Sequence, residues 1–366
     1  MEKINLPASL TTIGIRAFYD CDVLEFTSAE YTYVAGDTSL PKFTTHLAIS
    51  AEIIPNNILR CLFSKRSFGS AVLVDVNISE GLHDIGKLFQ EDSLLRKISL
   101  PTTVTSLPFG AFRACWKLIE VNLPETLVVI GQSSFRGCNV LPSLRIPSSV
   151  EKLERNTFDG CNSLFSLELP EKLSTVEKFT FNGFKSLRNI AIPEECTVCD
   201  IGNGFGSLLK STLDKDLMLI TSFSDSIGVL RQRFDGLPIH KLCYYRPECL
   251  VQYLSQPMNS LKEKRALTTG MLQDKLGMTP LHIFACSTRQ SIELYQLLLE
   301  LYPENLMTKD KWGDLPLLYA FWSKASKDIL QLLVKSHKEL FPAHKIDWGG
   351  MVSTLGNNKI GRASCR

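Results

Sequence analysis

The sequence lacks any apolar run approaching the roughly 18 residues of a membrane-spanning helix, so no span is expected. Its first residues, MEKINLPASL, lack the basic-then-apolar order of a secretory signal. They fall straight into the repeat described below, so either Met1 is the natural start or an upstream portion is missing. An excess of charge is lacking too. Forty Lys and Arg against 38 Asp and Glu leave a net charge of +2, which gives no reason to expect a polyanion partner such as nucleic acid. Histidine is scarce, and no Ser-His-Asp or Cys-His arrangement is legible among His46, His83, His240, His282, His337 and His344. A phosphate-cradling loop is missing as well. GNGFGS, 202–207, fits neither G-x-G-x-x-G nor G-x-x-x-x-G-K-[ST], because position 207 is serine with no lysine directly after it. It reads as a boundary loop. No catalytic, cofactor-binding or metal-ligating residue is therefore assigned.

What is present is an ordinary globular composition, 44% hydrophobic and 21% charged, in a chain of 366 residues. That is long enough for two domains with sizeable cores. The 11 cysteines are odd in number and follow a repeat rather than a small disulfide framework, so reduced thiols in a cytosol-like compartment are expected.

The repeat has a period of 23. Prolines stand at 101, 124, 147, 170 and 193, phenylalanines at 112, 135, 158 and 181, and cysteines at 115, 138 and 161, with Phe184 in the next cysteine place. Earlier copies begin at Pro7, with Phe18 and Cys21, and at Ser79, one residue shorter, where Asp92 stands at the cysteine place and is expected to turn outward. Aligned copies at one period predict a solenoid. Before each proline an apolar-x-apolar pair (Val121 and Leu123, Leu144 and Ile146) predicts a short strand with one buried face. The proline, having no N–H, ends the ladder. Apolar residues at +3, +6, +11, +14 and +17 then return the chain through tight turns. Phenylalanine fills the broad side, and cysteine serves as a small core residue rather than a redox or metal group. Segments such as LRIPSSVEKLERNTFDGCNSLFSLELP resemble the BspA-type leucine-rich repeat. The resemblance covers residues 1–193, with 27–75 degenerate and IIPNNILRC (53–61) as a worn copy; 194–233 reads as a boundary or capping segment.

A second period, 36, follows. LGMTPLHIFACS aligns with WGDLPLLYAFWS, placing Gly277 over Gly313 and Pro280 over Pro316, and Gly349 stands another 36 on. FDGLPIHKLCYY, with Gly236, Pro238 and His240, is a shortened upstream copy. The runs after the second and third copies have helical periodicity, with Leu294, Leu297, Leu298 and Leu301, then Ile329, Leu332 and Leu333. Residues 234–358 resemble the ankyrin repeat through Thr279, Pro280, Leu281 and His282. The resemblance implies that His240 and His282 tie turn to helix. Cys196 and Cys199 form a C-x-x-C that His240 and Cys243 would have to complete as a zinc site. The second pair is already explained as a helix start, so core or boundary cysteines are expected instead. Ile360–Arg366 resembles a translated sequencing adapter, and 359–366 is expected to be an artefact.

The fold expected is thus a repeat protein, a leucine-rich-repeat β solenoid of short parallel strands followed by an α-helical ankyrin-like array. That pairing resembles an architecture common among protist proteins and implies interaction modules. The outward strand residues would form the candidate protein-binding face: Lys97, Ser99, Glu120, Asn122, Ser143, Arg145, Ser166, Glu168 and Asn189, beside Ala191. Their alternating charges and missing aromatic platform speak against nucleic acid. Among turn tips carrying Asp310, Lys311, Trp312, Asp347 and Trp348, Trp312 is a candidate hot spot, with packing on the neighbouring repeat as the alternative. The expected function is non-catalytic binding of an as yet unidentified protein, as a cytoplasmic scaffold. A cell-surface adhesin and the regulatory region of an enzyme are the alternatives.

Overall fold

The structure, a computed structural model, describes residues 95–199, 223–255 and 268–346 throughout and 75–91 in part. Upstream of residue 50 it describes only the backbone of four short strands. Asp92, IIPNNILRC, GNGFGS, Asp347 and Trp348 lie outside the described residues.

Each solenoid coil contributes a short strand, which in the coils of Pro101, Pro124, Pro147 and Pro170 ends just before the proline. These are β1 (Lys3–Ile4), β2 (Glu25–Phe26), β3 (Glu30–Tyr33), β4 (His46–Ile49), β5 (Asp75–Ile78) and β6 (Lys97–Ser99), with β7 (Ser106–Leu107) beginning a second ladder. The first ladder continues through β8 (Glu120–Asn122), β10 (Ser143–Arg145) and β12 (Ser166–Glu168). All pairings are parallel, and where the copies are regular the register equals the sequence period, with Lys97 opposite Glu120 and Ser143 opposite Ser166. Strands β3 and β4, inside the degenerate stretch 27–75, stay in the same sheet, Glu30 opposite His46 and His46 opposite Asp75. Coil length there is irregular, yet the main chain still pairs. From β3 onward the ladder breaks between β8 and β10. Pro142 stands where Ile119, Phe165 and Arg188 each donate an amide to the preceding coil, at 2.8, 2.9 and 2.8 Å, and it has no N–H to give.

The expectation of simple turns after the proline is corrected. A second sheet forms there, β7 followed by β9 (Val129–Ile130), β11 (Lys152–Leu153), β13 (Thr175–Val176) and β14 (Thr197–Val198). In β7, β9, β11 and β13 the apolar second residue, such as Ile130 or Leu153, is buried, and the residue before it is more exposed. Between the two sheets, Phe89, Phe112, Phe135, Phe158 and Phe181 stack with centroids 5.9, 5.4, 5.6 and 6.5 Å apart. The cysteine column is fully buried. Cys115, Cys138 and Cys161 donate their thiols to the carbonyls of Phe89, Phe112 and Phe135, at 2.9, 3.3 and 3.2 Å. Burial pushes the Cys138 and Cys161 thiols up, which leaves them neutral and unreactive. The coil corner needs a left-handed residue, and Gly137, Gly160 and Gly183 supply it with φ near +80°. A Cβ on Gly183 would sit 3.4 Å from the Gly160 backbone, so stacking distance as well as φ favours glycine.

The helical part begins with α1 (Phe223–Arg231) and α2 (Pro238–Tyr245). It continues with α3 (Leu250–Ser255), α4 (Pro280–Cys286), α5 (Ile292–Leu301), α6 (Pro316–Trp322) and α7 (Lys327–Leu340). Prolines 238, 280 and 316 each open a helix, where the missing N–H is harmless. Helices α2, α4 and α6 stack as one row, and α3, α5 and α7 as a second. Ser291 and Ser326 cap α5 and α7 by accepting the amides of Leu294 and Ile329.

The turns between repeats follow one plan. Gly277 and Gly313 have positive φ. Asp274 Oδ1 accepts the amides of Leu276 and Met278, and Asp310 Oδ1 those of Trp312 and Asp314. His240 Nε2 lies 3.1 Å from the Leu272 carbonyl and His282 Nε2 3.1 Å from that of Asp314, so each histidine reaches the next turn. Thr279 donates its amide to His282 Nδ1 at 3.2 Å, which places the imidazole proton on Nε2. Leu237 occupies the matching place before His240 and offers no hydroxyl, and His240 Nδ1 is left buried without a partner.

Candidate binding face and its intramolecular cover

The strand residues divide into two groups. Lys97, Ser99, Glu120, Asn122, Ser143 and Arg145 are exposed or half-exposed. Ser166, Glu168 and Asn189, expected on the same open face, are not: each keeps 3% or less of its surface, and so does Ala191. They point out of the solenoid as the alternation requires, and the helical repeats cover them. These three are corrected from an open binding face to an internal seam.

The seam is polar and nearly saturated. Tyr244 on α2 donates its hydroxyl to the Leu167 carbonyl at 2.6 Å and accepts the amides of Leu169 and Ala191, both at 3.1 Å. The terminal strands thus find in one phenol the partners that another coil would supply. Burial pushes that phenol up, which keeps the donating proton in place. Arg233, fully buried, places Nε 2.7 Å from Asp274 Oδ2 and Nη1 2.9 and 2.8 Å from Asn189 Oδ1 and the Ile190 carbonyl. Glu168 accepts the Thr288 amide at 2.8 Å and faces Arg289 at 3.4 Å. Burial raises its pKa, and Arg289 works against that rise.

An aromatic cluster closes the far edge. Phe165 lies 6.2 Å from the ring of Tyr319 and 5.8 Å from that of Trp322. Arg188 pairs with Asp314 and stacks over Trp322 and Trp312, at 4.9 and 5.3 Å. Trp312, the candidate hot spot, is therefore half-buried beneath an arginine of the solenoid. Sequence reasoning passed over Arg188, Arg233, Tyr244 and Arg289. One signal was available, a buried-type tyrosine and an arginine flanking the Gly-Leu-Pro turn, but the pairing across 44 residues from Arg233 to Asn189 has no local trace.

On the open group, Lys97 pairs with Glu120 at 2.9 Å and Arg145 pairs with Glu125. Asn122 donates to Ser99 at 2.9 Å, as Asn189 does to Ser166 at 3.0 Å one seam away. Where the open face meets the helices, a cleft of about 400 Å³ runs between Glu120, Asn122, Ser143 and Arg145 on one wall and Thr288, Arg289, Ser323 and Lys324 on the other. Lys324 has a left-handed backbone, φ 61°. Burial, helped by Arg96 and Lys97, brings its amine down to about 8. A second hollow of about 320 Å³ lies on the other side of Arg289, lined by Glu171, Tyr245, Arg246 and Glu248 among others.

The C-x-x-C gathers no ligands. Cys196 is a buried column residue three after Pro193, Cys199 is exposed, and Cys243 is buried on α2. Among the described residues no group of three His, Cys, Asp or Glu could hold a metal, and no helix is long and apolar enough to cross a membrane.

Residues 1–115, 42–164 and 85–205 match the family described as BspA type leucine rich repeat region, in six copies. No curated protein matches the chain. Among solved structures the chain is similar to a leucine-rich repeat protein of T. pallidum, at 24% identity over 48% of this chain and 73% of that one, with a TM-score of 0.36. A leucine rich cell surface protein of Faecalibacterium prausnitzii is similar at 21% identity over 48% of this chain and 47% of its own, TM-score 0.33. A leucine-rich repeat protein of Bacteroides ovatus is similar at 22% identity over 55% and 66%, TM-score 0.32.

Proposed function

Since the chain belongs to the BspA-type leucine-rich repeat family, we propose that it is a non-catalytic protein–protein interaction scaffold acting inside the cell. Its partner docks on the uncovered part of the first strand sheet and in the cleft beside it. The observation that carries this reading is the division of that sheet. The helical repeats bury its last coils and leave Lys97, Ser99, Glu120, Asn122, Ser143 and Arg145 free beside a polar cleft of about 400 Å³. A solenoid displays such residues as one continuous surface. The free thiol of exposed Cys199 fits a reducing compartment.

The helical repeats read as ankyrin-type. The matched turns at Gly277 and Gly313, the prolines opening α2, α4 and α6, and the histidine bonds to the next turn support that reading.

The test is capture by the whole chain, compared with a triple variant, Lys97→Glu, Glu120→Lys and Arg145→Glu, and with a control, Lys152→Glu, on the second ladder. A protein held by the native chain and the control but lost from the triple variant supports the face as the site. Equal capture by all three removes it. Recognition at a cell surface is the competing reading; the F. prausnitzii protein is described as a cell surface protein, and finding the chain outside intact cells would favour it.

A further inference from the structure

His337 and His344 show no grouping in the sequence, yet the fold brings them together with Met307. His337 lies in the last turn of α7 and is buried; Met307 is half-buried after the short 3-10 turn Pro303–Leu306; His344 is exposed in the turn that follows α7. His337 Nε2 is 3.0 Å from His344 Nδ1 and 3.1 Å from Met307 Sδ. His337 Nε2 thus has a second imidazole nitrogen and a thioether sulfur both within 3.1 Å. One N–H on Nε2 cannot point at both neighbours. The other ring nitrogen of His337 is buried without a hydrogen-bond partner, so nothing fixes the ring proton on Nε2.

From this convergence we infer a surface site for a soft monovalent metal ion, cuprous copper, held by His337 Nε2, His344 Nδ1 and Met307 Sδ. The donor set selects the ion. A thioether is a soft ligand that favours Cu(I), and imidazole suits copper as well. No group of His, Cys, Asp and Glu suited to a harder or dipositive ion gathers among the described residues. The place suits a cation independently of the ligands. Phe341 closes α7 on the His337 carbonyl at 2.9 Å, so the site stands at the negative end of a 14-residue helix. At bond lengths of about 2.0 Å to nitrogen and 2.3 Å to sulfur, as for zinc, a trigonal ion holds its donors roughly 3.5 Å apart. The two spacings from His337 Nε2 are slightly shorter, so they open by about half an ångström on binding. His344 can make that movement, because it is exposed in a turn, its amide 3.0 Å from the Phe341 carbonyl. Its exposure also gives the ion a way in from solvent.

The test uses the whole chain with its accessible thiols capped by N-ethylmaleimide, titrated anaerobically with Cu(I) against a coloured cuprous chelator. The native chain should retain one equivalent, and X-ray absorption should show two nitrogen neighbours and one sulfur. Met307→Leu should remove the sulfur, and both it and the exposed His344→Ala should weaken binding at least about tenfold, the scale on which even outer partners of metal ligands count. Circular dichroism should show the helices intact in both. Retention that is equal in the native chain and both variants, or a shell without the thioether sulfur, overturns the assignment. So does failure of the capped native chain to hold any copper.

Discussion

The two regions repeat by different means. In the solenoid the period of 23 is held by main-chain ladders and by like side chains stacked on like, phenylalanine rings 5.4 to 6.5 Å apart. In the helical part the period of 36 is held by a few polar side chains that reach forward one turn, His240 to Leu272 and His282 to Asp314, each at 3.1 Å. The difference shows in what each tolerates. The solenoid accepts Phe184 in a cysteine place, where the ring packs 5.6 Å from Phe181 and stays buried. In the helical part a substitution shows instead as a lost bond: with Leu237 in place of a hydroxyl residue, His240 Nδ1 goes unpartnered. Volume governs one region, and individual hydrogen bonds govern the other.

The largest expected effects test that division directly. Phe135→Ala opens a cavity in the stacked column and should cost about 3–5 kcal/mol in urea unfolding. Arg233→Ala leaves Asp274 buried without its cation and should cost a similar 3–5 kcal/mol. Phe135→Leu should recover most of the first loss, whereas Arg233→Lys, unable to reach three partners at once, should recover little of the second. Equal recovery in both would break the comparison.

A smaller effect sharpens it at the seam. Tyr244→Phe keeps the ring but strips the Leu167 carbonyl and the Leu169 and Ala191 amides of a partner, a loss of about 1–3 kcal/mol. Hydrogen exchange should quicken at Leu169 and Ala191 while Ile98 and Val121 stay protected. A uniform change would mean that the seam is not a separate unit.

A further effect is in pH. Burial brings His240 and His282 down to about 4 from 6.5. The unfolded chain therefore binds more protons across that interval, and stability falls as pH drops from about 6.5 toward 4. The buried carboxyls of Glu168, Asp310 and Asp314, raised by burial, act with the opposite sign in the lower part of the window. Acidification should thus loosen the helical region more than the solenoid, followed by hydrogen exchange at Ile283 against Phe135. His282→Gln should flatten the dependence.

Much of the fold was legible because both periods are local. Pro101 to Pro193 marked the strand ends, Phe112 to Phe181 the core column, and Pro238, Pro280 and Pro316 the helix starts. The second ladder at Val129–Ile130 and Lys152–Leu153 was missed because two-residue strands leave almost no pattern. The site was half legible. Alternation placed Lys97, Glu120 and Arg145 on the outward face, and it placed Ser166, Glu168 and Asn189 there equally well.

The sequence by itself determined the coil, its register and the side each residue faces, since a repeat of fixed length makes every coil the template for the next. Only the tertiary structure decided which stretch of the outward face stays open. That choice rests on Tyr244, Arg233 and Arg289 meeting solenoid residues between 43 and 121 residues away. A period carries no information about contacts between two modules whose periods differ.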